Sequence, residues 1–137
     1  MARPEIIIDA KDAVVGRLSS FAAKKALQGN KIIVVNSQAA LFLGNPKKMI
    51  EDFSKKRQLG HGVQKGPFIS RKPSIILRRA IRGMLAFKTS HGREAFKHVI
   101  CHEHVPKEYE SREKIAMPSS SIQKSITLGE LSKRLGG

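Results

Sequence analysis

Two short apolar runs, EIIIDA at residues 5–10 and KIIVVN at residues 31–36, enclose the stretch RLSSFAAKKALQG at residues 17–29. The outer runs are rich in β-branched residues and bounded by polar ones, the pattern of buried strands. The inner stretch is rich in helix formers. It turns Leu18, Phe21, Ala22 and Ala26 toward one side, and Gly29 follows as a helix stop. Strand, helix and strand within about thirty residues make a βαβ unit, whose crossover requires parallel strands. The chain is therefore read as α/β.

Working outward, Ala39–Leu43 is predicted to be a further short strand ending at Gly44-Asn45. In PKKMIEDFSKKR, residues 46–57, Met49, Ile50 and Phe53 recur at helical spacing behind Pro46, a residue suited to a first helical turn. Residues 58–73 carry three Gly and two Pro and read as a basic loop. Ser74 is predicted to cap a helix over 75–86. On it Leu77, Ala80, Ile81, Met84 and Leu85 share one broad face, while Arg78, Arg79 and Arg82 fall on another. A shorter helical piece, Arg93–Lys97, follows Gly92. Residues 98–105 (HVICHEHV) alternate like a strand, and the polar tail 106–126 reads as an extended wrap over the surface. Thr127 and Glu130 match a capping box, with Leu128, Leu131 and Leu135 aligned behind it and Gly136 as the stop.

At 137 residues and 40% hydrophobic content the chain fits one domain with a real core, not a disordered basic tail. A single cysteine, Cys101, rules out an intramolecular disulfide framework and suits a reducing cytosol. The N-terminal MARPEIIIDAKD offers neither a secretory apolar region nor a membrane span, so no membrane partner is expected.

Charge is the strongest functional signal. The net charge is +15, and the segment 47–97 holds fourteen Lys or Arg against Glu51, Asp52 and Glu94. Such a concentration is costly through self-repulsion, and a polyanion explains its presence. Nucleic acid is the leading candidate, since neutralising phosphates releases counterions. The expected contact residues are Lys47, Lys48, Lys55, Lys56, Arg57, His61, Lys65, Arg71, Lys72, Arg78, Arg79, Arg82, Lys88, His91, Arg93 and Lys97. Phe53, Phe68, Phe87 and Phe96 are scattered through this segment at no strand-like spacing. They read as core residues and not as base-stacking platforms, which favours recognition of phosphate backbone and shape.

Motifs for chemistry fail one by one. Gly44-Asn-Pro-Lys-Lys lacks the second Gly and the hydroxyl of a phosphate-binding loop. Gly60, Gly62 and Gly66 miss the dinucleotide fingerprint and have no strand before them. His98, His102 and His104 would share one strand face with Cys101 on the other, an arrangement that invites a zinc reading. No second Cys and no nearby fourth ligand support it. Asp9 and Asp12 suit a turn and a helix start as well as any catalytic role. A two-metal nuclease would need clustered carboxylates, and the basic segment has few. No catalytic residue, metal, cofactor or small-molecule substrate is expected.

The segment GPFISRKPSIILRRAIRGMLAFKTSHGREAF, residues 66–96, closely resembles the signature of the ribosomal protein L thirteen family in its archaeal and eukaryotic form. The likeness extends to IIIDAKDAVVGRLSS (6–20), VVNSQAALFLGN (34–45) and TLGELSKRLGG (127–137). Where the family often has Pro after RGML, this chain has Ala86, a difference that bears on the local helix end. The resemblance implies a three-layer α/β/α domain over residues 1–137 with a central, largely parallel four-stranded sheet. It also implies a cytoplasmic, ribosomal location, with large-subunit ribosomal RNA and neighbouring large-subunit proteins as partners. Two other readings stand beside it. One is an RNA-processing enzyme using His61, His91 or the 98–104 histidines, and the other a messenger-RNA-binding translational regulator.

Overall fold

The computed structural model describes residues 4–43, 45–58, 72–86, 88–116 and 125–135, the side chains of 56–58 excepted. Strand β1 (Glu5–Asp9), helix α1 (Val15–Leu27) and strand β2 (Lys31–Val35) form the expected βαβ unit, with Ile6 opposite Ile32 and Ile8 opposite Val34 in parallel register. Gly29 follows α1 at φ +97°, a left-handed conformation that glycine adopts without a Cβ penalty and that turns the chain back toward the sheet.

A 3₁₀ turn (Ser37–Ala39) leads to β3 (Leu41–Leu43), then to α2 (Pro46–Gln58), α3 (Pro73–Met84) and α4 (Ser90–Lys97). Strand β4 (Val99–Cys101), the single turn α5 (Lys107–Glu110), β5 (Ile115–Ala116), β6 (Ser125–Thr127) and α6 (Leu128–Arg134) complete the order. The main sheet runs β4-β2-β1-β5, all parallel. From β1 to β2 to β4 the chain steps in one direction, and right-handed crossovers keep the connecting helices on one face. The return from β4 to β5 reverses direction, which puts α5 on the other face.

Alternate strand residues therefore enter two cores. Ile8, Ile32, Val34 and Val99 pack with Leu18, Ala22, Leu77, Ile81, Leu128 and Leu131 from α1, α3 and α6. Ile7, Ile33 and Val35 face Val105 and Tyr109 on the thinner side. Burial on both faces is why these strands read as continuous apolar runs. The fold is three-layer α/β/α. Among the described residues no helix is long and apolar enough to cross a membrane.

Several local expectations are corrected. The Ala39–Leu43 run does form a strand, but β3 leaves the main sheet and pairs antiparallel with β6, Leu41 opposite Thr127. The fourth strand of the main sheet is β5, two residues of the expected wrap. Ile115 and Ala116 carry no apolar run, so periodicity holds no sign of them. The strand predicted over 98–105 is limited to Val99–Cys101, with the His102 amide still donating to the Val34 carbonyl at 2.7 Å. At the C-terminus the Thr127 hydroxyl accepts from the Glu130 amide at 3.1 Å, and Leu128 and Leu131 are fully buried. Residues 117–124 of the expected wrap lie outside the described residues.

Candidate nucleic-acid interface

Helix α3 begins ahead of the Ser74 cap that the sequence suggests. Pro73 occupies its first position, where a missing N–H costs nothing and φ is already helical, and Lys72 is the extended residue before it. Ser74 lies inside the helix. Ile76, Leu77 and Ile81 are buried and Arg79 and Arg82 exposed, so one side of α3 packs and another meets solvent. The helix ends at Met84 with Leu85 extended, and the Leu85 amide donates to the Arg82 carbonyl at 3.1 Å. No Pro after RGML is needed for that stop.

Two residues depart from the projected faces. Met84 falls within the apolar arc by angle but is 50% exposed. It is the last residue of α3, where the arc runs past the packed core and meets α1 at its surface, the Ser20 hydroxyl donating to Met84 Sδ at 3.7 Å. Arg78 shares a projected face with Arg79 and Arg82, yet it is half-buried. Its Nε donates to the Val99 carbonyl at 3.0 Å, and its guanidinium sits 4.0 Å from the centre of the Phe96 ring. Around the helix Arg78 stands about 60° from Ile81, against about 160° for Arg79 and about 100° for Arg82. The arginine nearest the buried stripe is drawn onto it.

Helix α4 starts at Ser90, earlier than Arg93, because Thr89 supplies the cap. The Thr89 hydroxyl accepts from the Gly92 amide at 3.1 Å and donates to the Ala86 carbonyl at 2.7 Å. That pair of bonds ties the start of α4 to the end of α3. Arg93 reinforces the turn, Nη2 donating to the Lys88 carbonyl at 3.1 Å. Lys88, His91, Arg93 and Lys97 are all exposed, with Lys97 3.7 Å from Glu94.

The result is a cleft of about 590 Å³ lined by Arg79, Arg82, Gly83, Leu85, Ala86 and Lys88. Three cations separated in sequence by a helix end and a turn meet around one concavity. On α2, Lys47, Lys48 and Lys55 are exposed. Lys56 and Arg57 belong to the same helix, while His61, Lys65 and Arg71 lie outside the described residues. Of the four Phe, Phe53 and Phe96 pack against the core as expected, and Phe68 and Phe87 lie outside the described residues.

A second concavity, about 410 Å³, joins Lys72 to Lys133 beside Gln38, Glu103 and Gly129. Lys133 and its neighbour Arg134 are not among the contacts expected from sequence. They stand outside the dense charge block, and the packing of α6 against the 3₁₀ turn and α3 brings Lys133 toward Lys72.

The histidines do not form the shared face that strand alternation suggests. His98 ends α4, with Nε2 3.5 Å from Glu94 Oε1. His104 Nδ1 lies 2.9 Å from Gln38 Nε2, and the His102 ring is centred 6.0 Å from Tyr109. Cys101 is partly enclosed between the sheet and its helices, and desolvation pushes its thiol up to about 12. Asp9 is structural: one carboxylate oxygen accepts from the Lys11 amide and from Asn36 Nδ2, both at 3.0 Å. That second bond holds Asn36 at φ 59°, a conformation asparagine tolerates.

Residues 3–108 match the family described as Ribosomal protein L13. The Large ribosomal subunit protein uL13 of Methanopyrus kandleri is 41% identical over 137 aligned residues, spanning 95% of this chain and 86% of that protein. The protein of the same name from Methanocaldococcus jannaschii is 41% identical over 95% of this chain and 96% of its own length. That of Thermoplasma acidophilum is 39% identical over 96% and 98%. By the family match over residues 3–108 and by near full-length likeness to these relatives, this chain belongs to the ribosomal protein L13 family.

Proposed function

We propose that this chain is a non-catalytic constituent of the large ribosomal subunit, acting in the cytoplasm as one domain that binds ribosomal RNA through its basic surface. The observation that carries the reading is the meeting of Arg79, Arg82 and Lys88 around one cleft in a chain of net charge +15. Exposed lysines on α2 and exposed Lys97 on α4 widen the cationic surface. Its work is to neutralise phosphates where RNA segments converge, while the α/β/α core keeps the cations in fixed relation. Neighbouring subunit proteins are the second class of partner. Acid–base chemistry finds little support, because His98, His102 and His104 each engage a different neighbour.

Sedimentation of the tagged protein through sucrose gradients tests the reading. The protein should travel with large subunits. Its affinity for isolated large-subunit RNA should fall about 10³–10⁵-fold between about 50 and 200 mM salt, as six to ten phosphate contacts require. A nearly flat salt response, or sedimentation apart from subunits, would remove the proposal.

A further inference from the structure

Resting on that reading, we infer that the cleft at the end of α3 receives an unstacked RNA base, with the flanking phosphates held by Arg79, Arg82 and Lys88. Beside the three cations, Gly83, Leu85 and Ala86 line the cleft with apolar surface and backbone and no charge. At about 590 Å³ the cleft is shallow and open, with room for a nucleoside lying partly exposed.

Two features separate base from phosphate here. A helix C-terminus carries partial negative charge and carbonyls without intrahelical partners. A phosphate is repelled from that end, whereas base amino and imino groups find acceptors there. The cations that line the cleft lie on the last turns of α3 and on the turn beyond it, where a backbone bent around an extruded base would leave its phosphates. Guanidinium planes also provide stacking faces for bases.

Gly83 is the independent sign. It is exposed at the penultimate position of α3, beside the end of the helix. Among the described residues a Cβ built on it meets nothing within 4 Å. Glycine at such a position fits the close approach of something outside the chain.

The test uses the purified full chain, its large-subunit RNA, and the variants Gly83→Ala and Gly83→Leu. Gly83→Ala should melt about 2–5 °C higher, as a better helix former in open space. Gly83→Leu should fold and bind RNA about tenfold more weakly at fixed salt, with the salt dependence of the wild type, because the base is excluded while the phosphate contacts remain. Unchanged affinity in Gly83→Leu, against a wild type with steep salt dependence, would overturn this inference and leave the proposed function standing. A wild type that binds without salt dependence would overturn both. A photo-crosslinker in the cleft lining, at exposed Ala86 (Ala86→p-benzoylphenylalanine), should attach to RNA in assembled subunits. Attachment to a protein chain, or to nothing, would overturn the inference.

Discussion

Arg78 lies against Phe96, its guanidinium carbon 4.0 Å from the ring centre, while its Nε donates to the carbonyl of Val99. One arginine of the basic helix thus fastens α3 to α4 and β4. Arg78→Gln should lower stability by about 1–3 kcal/mol, from a charge-assisted hydrogen bond and a cation–π contact. Arg79→Gln with Arg82→Gln should stay within about 1 kcal/mol, as exposed changes do. Thermal melting of both variants decides it, and equal melting would mean that the Arg78 contacts contribute nothing.

The same double variant should weaken RNA binding roughly uniformly across sequences. Its salt slope should be shallower by about two, because each arginine replaced leaves one phosphate with its counterions still bound. Fluorescence anisotropy with large-subunit RNA across a salt series measures this. A normal slope would take Arg79 and Arg82 off the interface.

Ile81 and Met84 should behave differently although both belong to the apolar arc. Ile81 is fully buried, so Ile81→Asp strands a charge in the core and should unfold the protein at a cost of about 4 kcal/mol or more. Met84 is half exposed, and Met84→Gln should cost less than about 1 kcal/mol. Urea denaturation of the two variants gives the comparison.

Cys101 should be inert toward thiol reagents at neutral pH in the folded chain. Its thiol is pushed up to about 12 by desolvation, with Arg78 pulling only partly the other way, and the thiolate is the reactive form. Labelling should begin when denaturant unfolds the core, tracking loss of circular dichroism. Rapid labelling in native buffer would show that β4 opens locally.

Glu5 should titrate below the ordinary carboxylate range. The Arg112 guanidinium donates to its carboxylate at 2.6 Å and holds the charged form. A depressed folded pKa contributes stability that is fully present above the ordinary glutamate value of the unfolded chain. That contribution disappears as pH falls through the folded value. Carbon-detected NMR titration should show Glu5 low in the wild type and moved up toward the ordinary value in Arg112→Gln. No movement would mean that the pair does not persist in solution.

The βαβ unit was legible because Ile6–Ile8 and Ile32–Val35 are apolar runs too short for helices, flanking a stretch with helical spacing. The C-terminal helix was legible from Thr127, Glu130 and three leucines. Strand β5 was not, since Ile115 and Ala116 have no periodicity and are a strand only because β1 offers an open parallel edge. The short reach of β4 was also hidden. Alternation through His102 and His104 is a local pattern, whereas strand length depends on how far β2 continues beside it.

By itself the sequence determined the α/β class, the family and the location of the charge, because each is written in residue type and spacing. Tertiary structure decided which charges are presented. Arg78 and Arg79 are adjacent and chemically identical, yet Arg78 is half-buried against Phe96 and Val99 while Arg79 is exposed and lines the cleft. Helical angle sets which way a side chain leaves its helix. Where the neighbouring elements end sets whether it meets protein or solvent, and those ends are fixed by contacts between residues far apart in the chain.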